Sequence, residues 1–427
     1  NFLFPATQTC FTNWTYTAKW HQQTAIYSRW KICPYFFRRY DGESMARNGI
    51  VFVTVNYRLN IFGFFSHPDL TKESPHHSSG NYGLMDQAAA LNWISENISA
   101  FGGDPAKITI GGESAGSIAC SAQMASPMSK NLLAGVIGES GSLLGALPAI
   151  SLSKAEKTGV YFCDSLGLTS VSELRLMDAN QLLRAIARFN SFRFAMTVDG
   201  YFFPKSPYQI YEAGEQAQVP LLVGWNSEKM GYYGILGGAK PTKENYGAAV
   251  EKLYGEKASE FLELYHASSK EEIQDAATQL AGDRFVGYST WKWSDVHTRT
   301  SKRLVYRYYY SHSRPAKRKE SGEKQDDTLP SQGSVHSAEI EYALGNLSRN
   351  TVYEWTSEDY TISHIMQTYF VNFVKTGNPN GVGLPMWPSV EANTPAPVMI
   401  IDSKTRAEVE KVRERYLFLD KINTENR

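Results

Sequence analysis

With 427 residues, 42% of them hydrophobic and 20% charged, the sequence has ordinary globular composition and a length that suits one large α/β domain or a few smaller ones. Its 43 basic and 43 acidic residues cancel, which leaves no charge-based argument for a nucleic acid or an anionic membrane as partner. No apolar run approaches the ~18 residues of a membrane span, and Cys10, Cys33, Cys120 and Cys163 show neither CxxC pairing nor metal-ligand spacing.

Residues 1–40 carry no clear period and are rich in Trp, Phe, Thr and Gln, so no structure is assigned to them. The chain starts at Asn1 without a signal peptide, and a secreted or periplasmic location is the expectation if a leader was removed. From Asp41 onward strands alternate with helices. Ile50 to Val55 is a β-branched run suited to a strand buried on both faces, and Asp86 to Ile98 has helical spacing with Leu91, Ile94 and Ile98 on one face. Ile108-Thr109-Ile110 is a short strand that ends in Gly111-Gly112, and Ala115 to Met124 reads as the helix after it, with Cys120 as a small core residue. Val136-Ile137, Val219 to Val223, Leu304 to Tyr310 and Val398 to Ile401 continue the set of strands. Residues 151–191 and 242–282 read as side or cap helices, and 313–334 as a polar surface loop. The alternation predicts one α/β domain over 41–427, with a mostly parallel central sheet flanked by helices.

The segment Gly112-Glu113-Ser114-Ala115-Gly116 sits between a strand and a helix. A serine hydroxyl is a weak nucleophile until it is held clear of its neighbours beside a base. A sharp strand-to-helix turn holds it so, and needs small residues two before and two after the serine. Gly112 and Gly116 meet that need, and the N–H of Ala115 is then aimed to bind a developing oxyanion. Gly138-Glu139-Ser140-Gly141 lacks the second spaced glycine and reads as a tight turn.

The run Phe101-Gly102-Gly103-Asp104-Pro105-Ala106-Lys107-Ile108-Thr109-Ile110-Gly111-Gly112-Glu113-Ser114-Ala115-Gly116 resembles the serine-site signature of the type-B carboxylesterase/lipase family, which includes the cholinesterases. Val53 to Leu59, Gly80 to Gln87, Val198-Asp199-Gly200 and Asn372 to Asn380 are similar to further family segments. The resemblance runs from about Tyr40 to the C-terminus. It implies the α/β-hydrolase fold, a carboxylic-ester substrate of small size, and no metal or other cofactor.

Among nine histidines, His336 alone opens a segment, Ser337-Ala338-Glu339-Ile340-Glu341-Tyr342, similar to the family's catalytic-histidine segment. The resemblance therefore implies a triad with Ser114 as nucleophile and His336 as general base. Glu228 follows the strand ending at Val223 and is the expected acid, although the family's acid aligns with Lys229, one residue later. The Gly-rich segment that completes the family's oxyanion hole has no match before Tyr40. Residues 1–40 thus read as a divergent replacement, a remnant of a longer chain, or a stretch out of frame, and missing strands would leave sheet edges uncovered. Two functions stay open: a serine carboxylesterase working through an acyl-enzyme, and an impaired member that keeps the fold and a binding role. Oligomeric state is left open.

Overall fold

The computed structural model describes residues 22–28 as backbone, and 39–145, 147–188, 194–318, 333–392 and 395–425. Its centre is an eight-stranded sheet. In chain order the strands are β1 (Gln22–Ser28), β2 (Ile50–Val55), β3 (Gly103–Glu113), β4 (Gly135–Glu139), β5 (Leu221–Asn226), β6 (Val305–Tyr310), β7 (Pro397–Ile401) and β8 (Arg406–Val409). Across the sheet they lie in the order β8-β7-β6-β5-β4-β3-β1-β2. Every pairing is parallel except β7 with β8, a hairpin that closes one edge.

The β-branched, nearly unbroken apolar strands follow from burial on both faces. Val136 and Ile137 face opposite core clusters, as do Leu221 and Leu222, because successive side chains of a strand alternate. On one face lie α1 (Tyr82–Asn97), α2 (Ala115–Ala125) and α3 (Tyr288–Thr300), through Leu84, Leu91, Ala122, Trp293 and Val296. The other face is covered by α4 (Ser357–Thr376), whose Ile362, Met366, Phe370 and Phe373 meet Ile137, Leu222 and Tyr308. Burying one such side chain contributes roughly 1.5–3 kcal/mol before chain entropy is counted.

The expected elements are present, with shifts at their ends. The helix expected over 86–98 starts at Tyr82, and the strand expected over 219–223 occupies Leu221–Asn226. The region expected as side helices, 151–191, holds Leu152–Ser165, Val171–Leu174 and Ala179–Ala187, and 242–282 holds Lys243–Tyr254, Ala258–Leu264 and Lys270–Gly282. Most of the loop expected over 313–334 lies outside the described residues, as do Cys10 and Cys33; Cys120 and Cys163 are buried and free. Residues 22–28 belong to the stretch that the sequence leaves without an assigned structure. As β1 they fill the gap between β3 and β2 and give β3 a second neighbour. Sequence reading missed this strand because Gln22-Gln23-Thr24 lacks the apolar signal of a buried strand.

Candidate active site

β3 ends in Glu113 and α2 begins at Ala115, so Ser114 alone turns the chain. It does so at φ 56°, ψ −115°, a region costing an ordinary residue about 1–3 kcal/mol. The turn is tied down on both sides: the Ser114 N–H donates to the Glu139 carbonyl at 2.7 Å, and the Ser114 carbonyl accepts from Ile118 N–H at 3.0 Å. A Cβ at Gly112 would stand 2.5 Å from the Gly116 carbonyl carbon, so the two glycines are required by their mutual approach. Ala115 is the first residue of α2, where backbone N–H groups lack intrahelical acceptors. Of the expected tight turn Gly138-Glu139-Ser140-Gly141, the first two residues end β4, and the chain bends at Ser140-Gly141 with φ 66° and 146°.

His336 lies 222 residues later in the chain, yet its Nε2 is 2.9 Å from Ser114 Oγ. Two arrangements hold it there. Glu228 and Val335 form a parallel bridge, and the Glu228 N–H donates to the Ser334 carbonyl at 2.8 Å, which docks the histidine loop beside the end of β5. Behind the loop, Arg314 donates to the Ser337 carbonyl at 3.0 Å and to Glu341 Oε2 at 2.7 Å, while Arg39 bonds the same two groups. Phe285 packs its ring edge against the imidazole, 5.2 Å between centroids.

Burial pushes the His336 imidazole down to about 3, with the charges of Lys229 and Arg39 adding to it. It is therefore neutral across the ordinary pH range and able to accept a proton bond at Nε2. Its Nδ1 is buried and makes no hydrogen bond among the described residues. Glu113 also approaches, with Oε1 3.3 Å from Nε2 and accepting from Ser337 Oγ at 2.6 Å. Burial and the Glu339 charge raise its carboxyl to about 8.

The expected acid, Glu228, is not joined to the pair. Its side chain lies against Gly333, where an added Cβ would come 3.0 Å from Glu228 Cγ, and no hydrogen bond to His336 is among the described contacts. The inward position belongs to Lys229, which is 5% exposed. Neighbouring residues of an extended segment point to opposite sides, so one residue of displacement reverses the direction. Lys229 Nζ donates to Ser140 Oγ; Ser140 Oγ donates to Glu339 Oε1 at 3.3 Å, and Asn226 Nδ2 donates to Glu339 Oε2 at 2.5 Å. Sequence reading missed Glu113, Glu339 and the arginine pair on Glu341. The available signal was three glutamates, at 113, 339 and 341, in otherwise apolar or small-residue surroundings.

Among the aromatic residues, Trp93 is 50% and Tyr233 63% exposed on the surface. Trp225 lines a separate cavity of about 250 Å³ with Lys229, Asp283, Tyr309 and Tyr416, and neither Ser114 nor His336 faces it. Asn346 is buried and donates to the Arg39 and Asp41 carbonyls, so its amide is structural. Among the described residues no cluster of His, Cys, Asp and Glu could hold a metal, and no helix is long and apolar enough to cross a membrane.

A strained serine between a parallel strand and a helix, with a histidine from the late part of the chain, defines an α/β-hydrolase. The backbone superposes on PNB esterase with a TM-score of 0.73 at 27% identity, over 93% of this chain and 82% of that one. Residues 35–418 match the model of the carboxylesterase family, and the chain belongs to that family. It is 31% identical to acylcarnitine hydrolase of Mus musculus over 82% of this chain and 63% of the relative. It is 30% identical to para-nitrobenzyl esterase of Bacillus subtilis (strain 168) over 88% and 74%. The chain spans just under two thirds of the length of the mammalian relatives it matches.

Proposed function

We propose that the protein hydrolyses small carboxylic esters through an acyl-enzyme on Ser114. The observation that carries this reading is the 2.9 Å contact between His336 Nε2 and the hydroxyl of a serine held at φ 56°. Ser114 Oγ attacks the ester carbonyl carbon while Nε2 takes its proton. The carbonyl oxygen gains charge facing the Ala115 N–H, a backbone donor at the positive end of α2. The imidazolium then gives the proton to the leaving alcohol, and water repeats the sequence to release the acid. The names of the relatives, para-nitrobenzyl esterase and acylcarnitine hydrolase among them, support an ester substrate of modest size.

The second reading, an impaired member, is favoured by one observation: His336 Nδ1 has no acceptor among the described residues. A serine triad without its orienting carboxylate turns over about 10⁴-fold more slowly. Glu228 enters as third member only if it leaves Gly333 and swings toward Nδ1. Turnover of p-nitrophenyl butyrate by the full chain and by Ser114→Ala tests the reading. Hydrolysis that disappears in the variant supports it, and equal rates in both proteins reject it.

A further inference from the structure

We propose that Lys229 is a positioning residue that holds the Ser114–His336 pair back, because its ammonium opposes the imidazolium that must form when Ser114 gives up its proton. The inference rests on the hydrolase reading and adds a control built into this chain.

The geometry is specific. Lys229 follows Glu228, whose bridge to Val335 carries the histidine loop, so the lysine and the imidazole leave adjacent backbones at the end of β5. The lysine stem packs on Gly282, where a Cβ would meet Lys229 Cβ at 3.6 Å, and its Nζ reaches inward to Ser140 Oγ beside the serine turn. Ser140 in turn follows Glu139, whose carbonyl accepts the Ser114 N–H. With 5% of its surface exposed, Lys229 has little water to screen its charge.

Several groups face this site. Glu113 at the end of β3, Glu139 at the end of β4, Glu339 from the histidine loop and Asp283 from the turn before α3 favour the ammonium, while Arg39 adds to the positive field on His336. Burial opposes the ammonium more strongly and brings its titration down to about 7. Near neutrality, then, Lys229 exchanges its proton, and the barrier to charging His336 changes with it. Below that point two cations would share one buried site in the transition state. Above it the amine is neutral, and its opposition to the imidazolium is gone.

The test follows Ser114 by the rate of fluorophosphonate labelling from pH 5.5 to 9 in the full chain. The expected result is a rise through neutral pH that persists in Glu113→Gln and vanishes in Lys229→Met. Lys229→Met labels faster than the natural chain on the acid side by roughly tenfold, the factor that one pKa unit of relief on His336 provides. If Lys229→Met does not fold, a flat profile in the natural chain overturns the inference and a rise that Glu113→Gln keeps supports it. Labelling of Lys229→Met at a rate equal to or below that of the natural chain overturns this inference alone. No labelling of Ser114 in either protein at any pH overturns the hydrolase reading and this inference with it.

Discussion

At position 114 the chain spends backbone strain to present a hydroxyl, and the strain is affordable only because Gly112 and Gly116 nearly touch. Gly112→Ala would place its methyl 2.5 Å from the Gly116 carbonyl carbon, which forces β3 and α2 apart. A misplacement near 1 Å costs about 10²-fold in rate. The expected outcome is a loss of that order in kcat/KM for p-nitrophenyl butyrate, read beside the melting temperature. Glu228 makes the opposite case. Its carboxylate lies at Gly333 and not at His336, so Glu228→Gln is expected to change kcat/KM by less than tenfold. A loss of about 10⁴ would instead mean that the carboxylate moves to Nδ1 during turnover. The serine and histidine were legible because their neighbours are dictated by geometry and by the familial segments quoted above. The side on which 228 and 229 project was not legible, since a one-residue change of register reverses it and leaves no mark on composition.

The loop that delivers His336 is held by a buried ion cluster at the level of single elements. Glu341 is fully buried and accepts from Arg314 and Arg39, which also bind the Ser337 carbonyl. Burial pushes the Glu341 carboxyl up, but the two arginine charges outweigh it and hold it below the ordinary carboxylate value. The sign follows. A depressed carboxylate contributes stability above its unfolded pKa, and that contribution is lost as pH falls through the folded value. Removing one partner of a buried pair costs about 3–5 kcal/mol, because the other charge is left without compensation. Glu341→Ala is therefore expected to lower stability by that amount at neutral pH in urea unfolding. The difference from the natural chain should shrink in acid. A pH-independent difference would mean that the cluster acts only through packing. The Arg39 partner lies at the end of the atypical stretch 1–40, which is why no local pattern announced the cluster.

Across the whole molecule, β2 to β7, α1 and α2 were readable since burial on both sheet faces imposes apolar runs and alternating elements, whereas α3, α4 and β8 were not singled out. Val136-Ile137 and Leu221-Leu222 show the cause directly, each pair serving both cores. The strand at Gln22–Ser28 was not readable, as its place between β3 and β2 is set by its neighbours and its polar start carries no period. The resulting fold brings the carboxyl ends of β3 and β4, in the middle of the sheet, beside the histidine loop, and the proposed chemistry depends on that convergence. Brief mixing with p-nitrophenyl butyrate, acid quenching and peptide mass analysis test it most directly. The account predicts a butyryl adduct on the peptide that contains Ser114, absent in Ser114→Ala and strongly reduced in His336→Ala. An adduct on another residue, or hydrolysis that proceeds unchanged in Ser114→Ala, would contradict it.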